Sequence, residues 1–162
     1  MRKKNDLISW LTISILIALA LLMAACTGGV GYDSATPTPY HSGFNVTVPP
    51  GESALLVVND PKLGNILVDQ RGFTLYIDVK DPPDGTICSE QCKATWPPLV
   101  SLGSPVVGDP SITGLVGTAL LDNGVRAVTY NHQVLYNFGL VLKVGDTSGH
   151  GYNNNQWVVA RP

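Results

Sequence analysis

Two stretches of this chain repeat one design, and that repetition constrains the fold more than any other feature. Val68-Asp-Gln-Arg-Gly-Phe-Thr-Leu75-Tyr76 and Val128-Thr-Tyr-Asn-His-Gln-Val-Leu135-Tyr136 each read as strand, tight turn, strand and a closing Leu-Tyr. Short apolar runs flanking a turn signal predict an antiparallel hairpin. In the first copy the turn is Asp69-Gln-Arg-Gly72, with Gly72 supplying a positive φ at no steric cost. In the second, Asn131 suits left-handed geometry while His132 lacks the permissiveness of glycine. Two copies predict a pseudo-symmetric β domain, because a solenoid needs at least three.

The other segments agree with a mostly β fold. The chain holds 17 Gly and 12 Pro among 162 residues, a supply of turn formers that favours short strands over long helices. Ala54-Leu-Leu-Val-Val58 lies between Pro49-Pro-Gly51 and Asn59-Asp-Pro61, and reads as a strand. Ile66–Val68, Phe73–Ile77, Thr118–Leu121, Ala127–Tyr130, Val134–Phe138 and Trp157–Ala160 are further strand candidates. Asn123-Gly124 is the strongest hairpin turn signal in the chain. One helical turn or two are expected around Ser89 to Thr95.

The N-terminus reads as an address and an anchor. Met1-Arg-Lys-Lys4 is basic, Leu7 to Ala25 is almost wholly apolar, and the run ends Leu22-Met-Ala-Ala-Cys26. Small residues just before a cysteine suit a lipoprotein signal peptidase, with Cys26 acylated and then made the mature N-terminus. An uncleaved transmembrane anchor and a plain secretory signal are the alternatives. More than one acyl chain is what holds a protein stably on a membrane. The expected organisation is therefore a signal peptide at 1–25, lipidated Cys26 with a flexible tether to residue 44, and a β-rich single domain over 45–162. The tether is Gly-, Ser-, Thr- and Pro-rich, too poor in large apolar residues to offset its chain entropy. Formal charge is −2, and without Arg2, Lys3, Lys4 and Asp6 it is −4. A weakly acidic body has no electrostatic case for nucleic acid.

Cys88-Ser-Glu-Gln-Cys92 makes an even pair once Cys26 is committed to lipid, and outside the membrane such a pair reads as a disulfide. On a helical turn, residues four apart come within bridging range. Alternatives are a copper or zinc site using both thiols with His132 or His150, and a redox-active thiol pair, although the spacing is not Cys-x-x-Cys. The loop leads to Trp96-Pro97-Pro98, which reads as a core cap with a stiff exit. The sharper alternative makes Trp96, Tyr76 and Tyr136 an exposed aromatic surface for a glycan, haem or partner protein. The cysteine loop and Trp96-Pro-Pro98 read together as a staple that follows the first copy and is absent from the second.

Asp78, Asp81 and Asp84 recur at every third position. Loop carboxylates can gather calcium, while Pro82-Pro83 argues for a solvated turn. His132 and His150 are the remaining candidates for metal ligation. No Gly-x-Ser-x-Gly elbow is present.

Several of these pieces occur together in one known family. Leu67-Val-Asp69, Gly72, Thr74-Leu-Tyr76, the Cys-x-x-x-Cys pair, Trp96-Pro-Pro-Leu99, Leu135-Tyr136-x-Phe138, Gly145-Asp146-Thr147 and Trp157-Val-Val159 resemble the bacterial secreted-repeat lipoproteins with their Tyr-x-(Phe/Trp/Tyr)-x-x-Asp motif. The resemblance covers about residues 55–162 and implies an envelope location and a duplicated β unit; the family has no established biochemical role. The copies depart from the motif in opposite ways. The first has Asp78 where an aromatic is expected and keeps Asp81; the second keeps Phe138 and has Val141 in place of the aspartate.

The functional expectation is a non-enzymatic, lipid-anchored envelope domain that binds or scaffolds a protein or glycan, with no cofactor. A metal- or haem-handling accessory in extracytoplasmic electron transfer is the first alternative. A wall- or glycan-acting enzyme, which ordinarily needs two carboxylates in a cleft, is the second.

Overall fold

The computed structural model describes residues 46–140 and 143–162. The signal-like run, Cys26 and the tether lie outside the described residues. Among the described residues no helix is long and apolar enough to cross a membrane. The elements in order are β1 (Ala54–Asp60), β2 (Gly64–Asp69), β3 (Tyr76–Asp78), α1 (Glu90–Thr95), β4 (Val106–Val107), β5 (Val116–Leu120), β6 (Arg126–Tyr130), β7 (Gln133–Val134), the single turn α2 (Tyr152–Asn155) and β8 (Trp157–Val159). They form sheets ordered β2-β1-β4, β3-β8 and β5-β6-β7, with β1–β4 parallel and the other pairs antiparallel. The mostly β architecture is as expected.

Turn chemistry fixes the register. Between β1 and β2, Asp60 Oδ1 accepts from Lys62 N and Leu63 N, both at 2.8 Å. At Asn123-Gly124, Gly124 has φ +78°, and Leu121 N donates to Val125 O at 2.8 Å. The turn after β2 is organised by Asp69, which is fully buried. Its Oδ1 accepts from Arg71 N at 2.9 Å and Phe73 N at 3.0 Å, while Oδ2 receives the Arg71 guanidinium at 2.6 Å. An apolar-pattern search overlooks this residue because its partners are turn amides.

Strand limits differ from expectation around both Leu-Tyr pairs. Phe73–Ile77 shortens to an isolated bridge at Thr74 and β3 from Tyr76, and Val134–Phe138 shortens to β7 and a bridge at Tyr136. The cause is a change of partner at each tyrosine. Leu75 N donates to Leu67 O at 2.9 Å, within its own hairpin, whereas Tyr76 N donates to Tyr136 O, also at 2.9 Å.

Main-chain bonds around the two hairpins follow one pattern, with Leu67 rather than Val68 in the place of Val128. Leu75 N donates to Leu67 O, Leu67 N to Ala160 O and Ala160 N to Leu75 O, which closes a ring of three bonds. Leu135 N donates to Val128 O, Val128 N to Leu99 O and Leu99 N to Leu135 O, closing a second ring. In each ring the third strand begins at a tryptophan three residues earlier, Trp157 or Trp96. Trp157-Val-Val holds in the first ring the place that Trp96-Pro-Pro holds in the second, preceded by the short turn Tyr152–Asn155 and by no disulfide.

Neighbouring residues of these strands face opposite cores. Ile66, Tyr76, Ala127, Tyr136 and Val159 belong to one buried cluster, while Leu67, Leu75, Val128, Leu135 and Ala160 belong to another. Strands buried on both faces need apolar residues at consecutive positions, hence the unbroken runs Ile66-Leu-Val68 and Leu75-Tyr-Ile77.

Candidate functional site

Helix α1 is short but well terminated. Ser89 is its N-cap, with Oγ accepting from Cys92 N at 3.3 Å, the contact that makes serine a good helix start. Lys93 Nζ reaches Glu90 Oε1 at 2.8 Å. Cys88 and Cys92 form a disulfide with Cα atoms 5.2 Å apart. The expected pairing is present, and in this oxidised form neither thiol is free to ligate a metal.

Trp96 follows directly and is 2% exposed. It is held between two rings, Trp157 at 4.0 Å and 2° and Phe138 at 4.4 Å and 23°. Tyr76 meets it edge-on at 5.3 Å. The two stacked pairs are close, and the edge-on contact with Tyr76 has the geometry that aromatic quadrupoles favour. Gly149 lies against this group: a Cβ there would come within 2.8 Å of the Trp96 ring and 2.9 Å of the Tyr76 ring. Trp96, Tyr76 and Tyr136 are all buried, so the exposed surface expected in the sharper reading is not made by these three. Pro97 and Pro98 are half-buried, and Pro98 bridges to Tyr136.

The acidic loop is solvated at Pro82, Pro83 and Asp84, as Pro82-Pro83 suggests, but not at its other two aspartates. Asp78 is buried, with Oδ1 accepting from Lys80 N at 2.9 Å and Oδ2 from Gln156 Nε2 at 2.7 Å. Asp81 is also buried, with Oδ1 accepting from Ile87 N at 2.8 Å. The Tyr136 hydroxyl donates to Asp81 Oδ2 at 2.5 Å and lies 2.5 Å from Thr86 Oγ1, which in turn accepts from Cys88 N at 2.9 Å. Burial pushes the Asp81 carboxyl up. Burial and then the Asp81 bond push the Tyr136 phenol up as well. The motif aspartate after the first Leu-Tyr thus serves the tyrosine of the second. Tyr76, whose counterpart aspartate is Val141 in this sequence, donates instead to the main-chain carbonyl of Asp146 at 3.2 Å. Its phenol is pushed up to about 12, chiefly by burial.

The remaining candidates lie apart from this group. Asp84 Oδ2 is 2.7 Å from His132 Nδ1, and Asp84 N donates to His132 O at 2.7 Å. Asn131 and His132 both take left-handed φ, +49° and +66°, so this turn requires of His132 the geometry it suits poorly. His150 Nδ1 accepts from Val159 N at 3.2 Å. Asp146 Oδ1 accepts from Ser148 N at 2.7 Å, and its bonds from the Ser148 side chain and main chain hold its carboxyl below the usual range. Among the described residues, no three His, Cys, Asp or Glu side chains gather as metal ligands.

A polar cleft of about 340 Å³ opens beside the disulfide, lined by Asp78, Ile87, Ser89, Cys92, Thr95, Tyr152, Asn153 and Gln156 above the Trp96–Trp157 stack. Tyr152 and Asn153, which line it, belong to the segment Tyr152–Asn155, where Asn153, Asn154 and Asn155 have φ of +52°, +56° and +63°. Left-handed geometry costs an L-residue about 1–2 kcal/mol, with asparagine among the more tolerant. Three in a row form a strained segment of the kind that gathers at ligand sites. Sequence reading missed it; Gly149-His-Gly-Tyr-Asn-Asn-Asn155 was its only signal. A larger cleft of about 470 Å³ is walled by Ile77, Val158 and Ala160, with His150 and Arg161 among its other lining residues. Its aliphatic walls bring fewer hydrogen-bonding groups together than the polar cleft does.

Compared with models of protein families, with curated proteins and with solved structures, the chain matches none.

Proposed function

We propose that this protein is a lipid-anchored domain of the bacterial envelope that binds a partner through the cleft beside Cys88–Cys92 and performs no chemistry on it. The anchor reading rests on Leu22-Met-Ala-Ala-Cys26 after a basic head and an apolar run. Secreted-repeat lipoproteins, which the motifs resemble, carry the same kind of N-terminus. A disulfide fits an oxidising, extracytoplasmic compartment.

The observation that carries the binding reading is a polar cleft bounded by the Cys88–Cys92 loop and by Tyr152, Asn153 and Gln156, with Asn153 the first of three left-handed residues. Sites gain affinity when their contact groups are held in place before the ligand arrives. Against an enzyme stands the placement of the carboxylates. Only Asp78 of the loop aspartates lines the cleft, while Asp81 is occupied by Tyr136 and the Ile87 amide. Two carboxylates facing one glycosidic bond are what hydrolysis ordinarily needs.

The matched bond rings support a duplicated unit with exchanged third strands. The copy beginning at the first hairpin contributes Trp96–Leu99 to the second ring, and the later copy returns Trp157–Ala160 to the first. Such an exchange makes a rigid scaffold, since neither hairpin completes its ring alone.

A photoactivatable residue replacing exposed Ile87, at the cleft's edge, tests the binding reading in intact cells. Cross-linked envelope material is expected. Absence of any cross-link there, with cross-linking at a residue distant from the cleft unchanged, contradicts it.

A further inference from the structure

The cleft has a chemistry as well as a shape. Tyr152 is 49% exposed, yet its ring is fixed against Trp96 at 5.7 Å and Phe138 at 5.8 Å. It offers a flat face that costs little conformational freedom to use. Beside it, Asn153 Nδ2 donates to Gln156 Oε1 at 2.6 Å, and Gln156 Nε2 donates to Asp78 Oδ2 at 2.7 Å. Each amide is thereby oriented, and each retains capacity: Asn153 its Oδ1 and second N–H, Gln156 its second N–H. Ser89, on the opposite rim, accepts from Cys92 N and still has its own hydroxyl proton to give.

The pattern selects among ligand classes. An anion needs fixed positive charge, and no Lys or Arg is among the lining residues; Lys80 Nζ, which reaches Gln156 Oε1 at 3.2 Å, is engaged there. A cation would be drawn to Asp78, but both carboxylate oxygens already accept hydrogen bonds and the group is buried. A wholly apolar ligand would leave the oriented amides unpaired, at the cost of their desolvation. A pyranose ring satisfies all three conditions. It presents a face of C–H groups to an aromatic ring, and a fringe of hydroxyls that both donate and accept. We propose that the cleft binds a neutral saccharide chain, with Tyr152 as the stacking platform, Asn153, Gln156 and Ser89 reading its hydroxyls, and Asp78 holding Gln156 in place. This rests on the binding reading above and names its ligand class.

Full-length protein in detergent micelles, titrated calorimetrically with β-1,4-linked N-acetylglucosamine tetrasaccharide and with maltotetraose, tests the assignment. Binding of at least one is expected, with a dissociation constant of about 0.1–1 mM. Tyr152→Ala should weaken it about tenfold or more, whereas Tyr152→Phe, which keeps the platform, should stay close to the parent protein. Folding of both variants is checked by the near-UV signal of the Trp96–Trp157 stack. No binding of either tetrasaccharide at about 10 mM, or equal binding by Tyr152→Ala, overturns the proposal. If the saccharides fail while the probe at Ile87 captures a protein, the ligand class is wrong and the binding reading survives. If the probe captures nothing either, both fall.

Discussion

Tyr76 and Tyr136 exchange both main-chain hydrogen bonds, each N–H donating to the other's carbonyl at 2.9 Å. Their hydroxyls are satisfied differently. Tyr136 donates to the buried Asp81 carboxylate at 2.5 Å, and Tyr76 donates to a main-chain carbonyl at 3.2 Å. Removing the first leaves a buried carboxylate short of a partner; removing the second leaves only a carbonyl. Tyr136→Phe is therefore expected to lower stability by about 2–3 kcal/mol and Tyr76→Phe by about 1 kcal/mol or less. Urea midpoints at unchanged slope measure the difference. Equal losses would contradict the assigned partners.

Alkaline pH should unfold the protein through the same pair. Tyr76 is pushed up to about 12 and Tyr136 is raised as well, both led by burial. A phenol whose folded pKa lies above its unfolded value contributes stability that is present below about pH 10 and lost as pH rises. For Tyr76 that window runs from about 10 to about 12. Absorbance of phenolate at 295 nm, followed together with circular dichroism, should show these two tyrosines ionising only as the fold is lost. Their ionisation in a still-folded protein would refute the burial account.

Reduction of Cys88–Cys92 tests the staple. Closing so short a loop is worth roughly 2 kcal/mol on the chain-entropy estimate. A Cys88→Ser, Cys92→Ser double variant should unfold at lower urea by that amount. Because Cys88 and Cys92 pack at the Trp96 cluster, tryptophan fluorescence should change as well. An unchanged midpoint would remove the disulfide from the account of stability.

Two glycines separate backbone strain from packing. Gly124 has φ +78° and open space around its missing Cβ, so Gly124→Ala should cost about 1–2 kcal/mol through conformation alone. Gly149 has an ordinary φ, but a Cβ would press on Trp96 and Tyr76, so Gly149→Ala should cost about 1–3 kcal/mol by overpacking. Only the second should alter the near-UV signal of the aromatic stack.

Hairpins, the Asn123-Gly124 turn and the Cys88–Cys92 pair were legible because each is written in residues close together in sequence. The bonds that tie Trp96–Leu99 to the second hairpin and Trp157–Ala160 to the first were not. Trp96-Pro-Pro-Leu99 and Trp157-Val-Val-Ala160 share only a tryptophan and the spacing to an apolar residue, and their equivalence lies in hydrogen bonds to distant chain. Asp78 and Asp81 misled for the opposite reason. Prolines and aspartates usually mark solvent, yet here Tyr136, Gln156 and local amides supply the bonds that let carboxylates be buried. The cleft beside the disulfide is lined by Asn153, the first of three consecutive left-handed asparagines, a conformation that residue preferences argue against.

The most direct test of a lipid-anchored envelope domain is the intact mass of the mature protein extracted from the membrane fraction. The account predicts a chain beginning at Cys26 and carrying diacylglycerol on its sulfur, with Cys88 and Cys92 two hydrogens short of the dithiol. A chain that begins elsewhere and carries no lipid on Cys26 would contradict it.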